Sequence, residues 1–222
     1  MRSNAIAAVE NGLYYPRDFS YDRRMKQVIV VHGGTTFATY DTYLEYLRTK
    51  SIKLERLIYA STWKDTLQSD LGDNYQVLLP TMPNKTNAKY SEWKLWFDRI
   101  IEVVDDNCIL IGHSLGAVFL VKYLSETACP KIISGTVLIA APFKDESTED
   151  LTDFKLNSIS DMFIRQAGRV IFFNGDDDPI IPLSERDAYK ADLPDAEFHT
   201  LSAPDHFVRP CFPELTTILR SL

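Results

Sequence analysis

The chain is poor in the residues that staple a small fold. It holds three cysteines, Cys108, Cys129 and Cys211, an odd number without metal-ligand spacing. That excludes a disulfide framework and a structural zinc site, and it fits a reducing, cytoplasmic compartment. Nine glycines and eleven prolines in 222 residues are an ordinary globular share, which excludes collagen-like and low-complexity chains. No block of lysine and arginine occurs, and 24 basic against 31 acidic residues leave a net charge of −7. Nucleic acid is therefore not an expected partner, because neutralising phosphates needs clustered cations. Long apolar runs are missing too. The run at Ala5 to Val9 stops at Glu10, too short for a signal-peptide core, and no stretch approaches the roughly 18 apolar residues of a membrane span. A soluble chain with no membrane contact is the expectation.

What is present is a 45% hydrophobic fraction, enough for a core. The length suits one domain over 1–222, because single cores usually stop growing near about 250 residues. Short apolar runs alternate with amphipathic patterns: Val28 to Val31, Gln76 to Leu79, Cys108 to Ile111, Thr136 to Ala140, Val170 to Phe173 and Glu197 to Leu201 read as buried strands. Strands of this kind between helices predict an α/β fold with a mostly parallel central sheet covered on both faces. Trp93, Trp96, Phe97, Ile100, Ile101 and Val104 follow helical spacing, with Ser91 as N-cap, and the aromatic stripe among them reads as core rather than a ligand cage. Ala117, Leu120, Val121 and Leu124 mark a second helix, and Leu215, Ile218, Leu219 and Leu222 a last one after Pro213. The segment from Ile52 to Asn74 fits strand and helix about equally. Residues 143–168 read as a polar excursion with one short helix near Leu156 to Ile164, a surface connection or a small flap.

Gly112-His113-Ser114-Leu115-Gly116 lies between the run ending at Ile111 and the helix from Ala117. This G-x-S-x-G in a strand, turn and helix context marks a nucleophile elbow, with glycines where side chains would collide. Ser114 is the candidate nucleophile, and the N–H of Leu115, the next residue, is one candidate oxyanion donor. A serine hydroxyl needs a base, and there are four histidines. His113 adjoins the serine and would point away from its side chain, His32 ends the first strand and could shape the opposite wall, and His199 falls inside the last strand. His206, on the loop after that strand, is the candidate base. The acid belongs on the loop Asn174 to Pro182, where Asp176, Asp177 and Asp178 stand together. Turn chemistry suits Asp176 and Asp177, and the chain order Ser114, Asp178, His206 runs nucleophile, acid, base. Asp205 is an alternative orienting group, though adjacent residues seldom make that bond. Neither G-x-G-x-x-G nor a phosphate-binding loop is present.

On these motifs the chain resembles the α/β-hydrolase superfamily from about Gln27 onward, and within it the small serine hydrolases of the group that includes YdeN and retinoblastoma-binding protein nine. The shared pattern is Met82-Pro83-Asn84, a tryptophan-bearing helix, G-H-S-x-G, D-D-P and a terminal H-F. The resemblance implies that the aspartate before proline, Asp178, is the acid, that His206 of His206-Phe207 is the base, and that Gly34 of His32-Gly33-Gly34 is the second oxyanion donor. Two departures are Asp205, where glycine commonly precedes the histidine, and the added segment from Ile52 to Asn74.

The expected function is acyl transfer to water on a small carboxylic ester, or a related amide or thioester, with a small-molecule acyl substrate as the partner. No metal and no organic cofactor is expected. The rival is a catalytically weak protein of the same fold that acts as a protein-binding module.

Overall fold

The computed structural model describes residues 8–10, 13–15, 25–144 and 150–222. The first part of the Ala5 to Val9 run, and 145–149 of the polar excursion, lie outside the described residues. Strands β1 (Ala8–Glu10) and β2 (Leu13–Tyr15) form an antiparallel pair. The other six make one sheet: β3 (Lys26–Val31), β4 (Tyr75–Leu78), β5 (Cys108–His113), β6 (Ile133–Ile139), β7 (Arg169–Gly175) and β8 (Glu197–Leu201). Their order is β4-β3-β5-β6-β7-β8, and every neighbouring pair is parallel. All six strands predicted from apolar runs are in this sheet.

The continuous apolar character of these strands follows from cover on both faces. In β5, Cys108 and Leu110 enter one core cluster while Ile109 and Ile111 enter the other. Burying each large aliphatic side chain stabilises the fold by roughly 1.5–3 kcal/mol. One face is covered by α3 (Tyr90–Val103), α4 (Leu115–Glu126), α5 (Asp161–Gln166) and α6 (Leu183–Asp192), the other by α2 (Trp63–Leu71) and α7 (Pro213–Ser221). Helix α1 (Tyr40–Thr49) buries no side chain and carries a Thr39–Thr42 capping box.

Several sequence expectations are corrected. Ser91 is not the N-cap of α3: the helix starts at Tyr90, whose N–H is capped by Asp153 Oδ2 at 2.9 Å from a distant segment. Trp96 leaves the aromatic stripe, at 47% exposure, whereas Trp93 and Phe97 are buried. Residues 143–168 are more than a polar excursion, because Leu151, Phe154 and Phe163 pack into the core beside Trp93 and Phe119. Their α-helix is Asp161–Gln166, capped by the Ser160 hydroxyl accepting from Phe163 N–H. The ambiguous segment holds a 3₁₀ turn at Leu54–Arg56 and then α2, whose buried Trp63, Leu67 and Leu71 repeat every four residues. Ile52, Leu54, Leu57 and Ile58, which made the pattern ambiguous, are exposed.

Candidate active site

In open parallel sheets, sites form at the carboxyl ends of the strands where strand order reverses. Here that point lies between β3 and β5, and Ser114 follows β5 directly. Its backbone sits at φ 55° and ψ −122°, a left-handed conformation that costs a residue with a Cβ about 1–3 kcal/mol. Two bonds hold it there: Ser114 N–H donates to Ile139 C=O at 2.8 Å, and Ala117 N–H to Ser114 C=O at 2.8 Å. The flanking glycines are required by close approach. A Cβ on Gly112 would lie 2.5 Å from Ala117 Cα, and one on Gly116 would lie 2.3 Å from the Val31 carbonyl oxygen. Helix α4 thus starts hard against β3, and Ser114 stands at its N-cap.

Leu115 is the first residue of α4, so its N–H has no intrahelical acceptor. Gly34 lines the same cavity as Ser114, and a Cβ there would come within 2.7 Å of the Lys85 carbonyl oxygen. Thr35 N–H is committed to Lys85 C=O at 2.9 Å, while Gly34 N–H makes no hydrogen bond among the described residues. His32 braces this turn. Its Nδ1 donates to Gly33 C=O at 2.7 Å, and its Nε2 accepts from Met82 N–H at 2.9 Å, so Met82-Pro83-Asn84 is tied to the first loop. Burial holds the His32 pKa below the ordinary histidine value, in keeping with a neutral ring.

The candidate acid and base meet. His206 Nδ1 lies 2.8 Å from Asp178 Oδ2 and 3.0 Å from Oδ1. The Asp178 side chain is fully enclosed, and its Oδ1 also accepts from Ile180 and Ile181 N–H at 2.9 and 3.1 Å, which fixes the carboxylate. His206 and the following Phe207 both have positive φ, 54° and 56°. The ring of His206 and the side chain of Ser114 line one cavity of about 320 Å³ with His32, Gly33, Gly34, Thr35, Lys64, Lys85, His113 and Ile180. The rival carboxylates go elsewhere. Asp177 accepts from the Ser202 hydroxyl at 2.8 Å and from Ala203 N–H, joining the β7 and β8 loops. Asp205 pairs with Arg209 at 3.3 Å, and Asp176 side chain lies exposed. His199 stacks on Phe173 within the sheet.

Two participants were not foreseen. His113 is buried, with Nε2 2.9 Å from the His206 carbonyl oxygen, an acceptor, so the ring proton is on Nε2. Its Nδ1 therefore faces the Lys64 ammonium as an acceptor at 3.4 Å. Burial first, and then the Lys64 charge, keep His113 well below the usual histidine range, and it is neutral. Lys64 comes from α2, which is docked on the base loop through its neighbour: Trp63 Nε1 donates to Phe207 C=O at 2.9 Å and Trp63 N–H to Arg209 C=O at 2.7 Å. The i, i+4, i+8 spacing of Trp63, Leu67 and Leu71 was the available signal for this helix. Among the described residues no group of three or more histidine, cysteine or acidic side chains is arranged to hold a metal ion.

This arrangement provides a hydroxyl at a helix N-terminus, an imidazole beside a buried carboxylate, and, among the described residues, Leu115 and Gly34 N–H groups that no hydrogen bond engages. The model of a family described as serine hydrolase matches residues 59–210, more than half of the chain. The serine hydrolase RBBP9 of Rattus norvegicus is 28% identical over 157 residues, covering 67% of this chain and 78% of that protein. Among solved structures, the YdeN gene product of B. subtilis superposes with a TM-score of 0.65 at 20% identity, over 89% of this chain and 98% of that one. Polyneuridine aldehyde esterase does so with a TM-score of 0.58 at 12% identity, over 89% and 98%. These likenesses, with the six-stranded parallel sheet, show the α/β-hydrolase fold.

Proposed function

We propose that this chain, which belongs to the serine hydrolase family, cleaves a small carboxylic ester through an acyl-enzyme formed on Ser114. The observation that carries the reading is the enclosed Asp178–His206 pair, 2.8 Å apart, on the rim of the cavity that the strained Ser114 enters. Ser114 Oγ attacks the ester carbonyl while His206 Nε2 takes its proton. The oxyanion is met by the Leu115 and Gly34 N–H groups, each donor lowering the barrier by about 3 kcal/mol. Collapse breaks the C–O bond, and the imidazolium returns its proton to the departing alkoxide. Water, deprotonated by His206, then attacks the acyl-enzyme, and the acid leaves with the serine restored. Amides and thioesters present the same carbonyl to the same groups. No step calls for a metal or organic cofactor. Among the described residues no helix is long and apolar enough to cross a membrane. Free Cys108, Cys129 and Cys211 favour a reducing compartment, and the cytoplasm is part of the proposal.

A fluorophosphonate probe tests the nucleophile. It should label Ser114, and turnover of p-nitrophenyl butyrate should vanish in Ser114→Ala. Labelling that survives the substitution sinks the assignment.

A further inference from the structure

The cavity beside Ser114 has a charge sign opposite to that of the chain. The protein carries a net charge of −7, yet among the described residues the cavity is lined by Lys64 and Lys85 and by no aspartate or glutamate. The one nearby carboxylate of the reaction, Asp178, is enclosed behind His206. Lys64 is the more informative of the two. Its ammonium lies 4.7 Å from the Trp63 ring centroid and 3.4 Å from His113 Nδ1, a long contact with a neutral acceptor. Among the described residues neither Lys64 nor Lys85 forms an ion pair. Burial pushes the Lys64 pKa down to about 8, partly opposed by Asp65 on its own helix. An ammonium withdrawn from water without a counter-charge is costly, and a ligand anion relieves that cost.

The position is set by packing. Trp63 is bonded through both its ring and its backbone to the loop that follows His206, so the next residue is delivered to the catalytic cavity. Asp65, two positions after Trp63, accepts from Thr62 N–H at 2.7 Å and so secures the start of α2. Among the described residues no arginine lines the cavity. A half-buried ammonium with an exposed one in the same cavity, and no guanidinium fork among the described lining residues, suits a carboxylate on the substrate.

We propose that this site selects esters bearing a carboxylate remote from the scissile bond, and that the Lys64 ammonium, with Lys85 beside it, receives that carboxylate. The inference deepens the ester-hydrolase reading of Ser114 and rests on it. Uncharged esters of equal length lack the group that replaces the water lost by Lys64, and cationic ones meet repulsion.

The test compares monoethyl succinate, with its carboxylate on the acyl side, and acetoxyacetate, with it on the alcohol side, against neutral ethyl butyrate and cationic ethyl 4-aminobutyrate. The wild-type protein should favour at least one of the two anionic esters over ethyl butyrate by about tenfold or more in kcat/KM. That ratio should collapse in Lys64→Gln, survive in Lys64→Arg, and invert toward ethyl 4-aminobutyrate in Lys64→Glu. A smaller fall is expected in Lys85→Gln, whose lysine is exposed. A wild-type ratio near one, or a preference untouched by Lys64→Gln, overturns the proposal. Calorimetry separates this failure from failure of the hydrolase reading. Monoethyl succinate should bind Ser114→Ala and bind the Ser114→Ala/Lys64→Gln protein about tenfold more weakly or worse. Equal binding to both overturns the anion site whatever the turnover, whereas weakened binding beside turnover that persists in Ser114→Ala upholds the anion site and overturns the hydrolase reading alone.

Discussion

Replacing Asp178 by asparagine isolates the role of one oxygen atom. In the native site Oδ1 accepts from Ile180 and Ile181 N–H as well as facing His206, and Oδ2 lies 2.8 Å from His206 Nδ1. Asparagine can keep Oδ1 on the two backbone donors and must then present its NH₂ to Nδ1. The imidazole adapts by moving its proton from Nδ1 to Nε2, the nitrogen needed as a lone pair toward Ser114. Regaining the productive tautomer sets N–H against N–H in an enclosed site, at about 2–3 kcal/mol for the unsatisfied donors. The imidazolium formed during attack also loses a carboxylate neighbour, a further ~3 kcal/mol for a charged hydrogen bond. Together these raise the barrier by about 5 kcal/mol, or roughly 10⁴-fold in kcat at 1.36 kcal/mol per decade. The assay is kcat for p-nitrophenyl butyrate at neutral pH with a thermal melt alongside. Tm should change little, because the two isoleucine N–H groups keep their acceptor. Asp205→Asn, which touches only the bond to Arg209, should stay within severalfold of wild type. A loss below tenfold in Asp178→Asn, or an equal loss in Asp205→Asn, refutes Asp178 as the orienting acid.

Three further outcomes follow from the contacts around the elbow. Gly116→Ala drives a Cβ to 2.3 Å from Val31 O and 2.6 Å from His32 O, both backbone, so α4 must retreat from β3. Overpacking of this kind costs at least about 1–3 kcal/mol, a fall of several degrees in Tm at about 2–4 °C per kcal/mol, and an unchanged Tm refutes the close-packing account. Trp63→Phe keeps an aromatic ring but leaves the Phe207 carbonyl without its 2.9 Å donor. It should cost about 1–3 kcal/mol in chemical denaturation and lower kcat severalfold by loosening the His206 loop, while a stability loss with unaltered kcat limits the contact to folding. The preference for an anionic ester should fade as pH rises through about 8, since Lys64 is an ammonium below that value and a neutral amine above it. Of the groups facing it, His113 and His32 are kept neutral there by burial, Asp65 on α2 has its carboxyl held below the usual range by Thr62 and stays charged, His206 serves both esters alike and cancels in their ratio, and the Lys85→Gln variant separates any share of Lys85. Comparing kcat/KM for monoethyl succinate and ethyl butyrate across this range tests the sign, and Lys64→Arg should extend the preference upward.

The sheet was legible because each strand is short, apolar and bounded by polar turns, and burial on both faces removes any need for alternation. The loops after β5, β7 and β8 were legible because chain order and turn residues mark them. Helix α3 shows the limit. Ser91 satisfies every local rule for an N-cap, yet Asp153, 63 residues away in sequence, reaches Tyr90 N–H first. Trp96 obeys the helical spacing and is still exposed, because the period defines a stripe without defining its width. In 143–168 the polar residues dominate by number, but Phe154 and Phe163 decide where the segment packs. The exposed Ile52, Leu54 and Ile58 hid α2 by offering a false alternation before the true helix began at Trp63.

Lys64 could not be found from chain order at all. The side chains proposed to react arrive on loops leaving the ends of β5, β7 and β8, so the parallel sheet itself converts sequence order into a candidate site. Lys64 arrives on a helix inserted between β3 and β4, and it reaches the cavity only because Trp63 exchanges two hydrogen bonds with the Phe207 to Arg209 turn. Those bonds join residues 144 positions or more apart. They also couple two properties that chemistry would leave separate: the turn that carries the proposed base is braced by the same residue that fixes the cation. A change at Trp63 therefore disturbs the placement of His206 and the charge offered to substrate together. Lys64→Gln removes the charge, with its contacts to His113 and the Trp63 ring, and leaves both Trp63 hydrogen bonds in place.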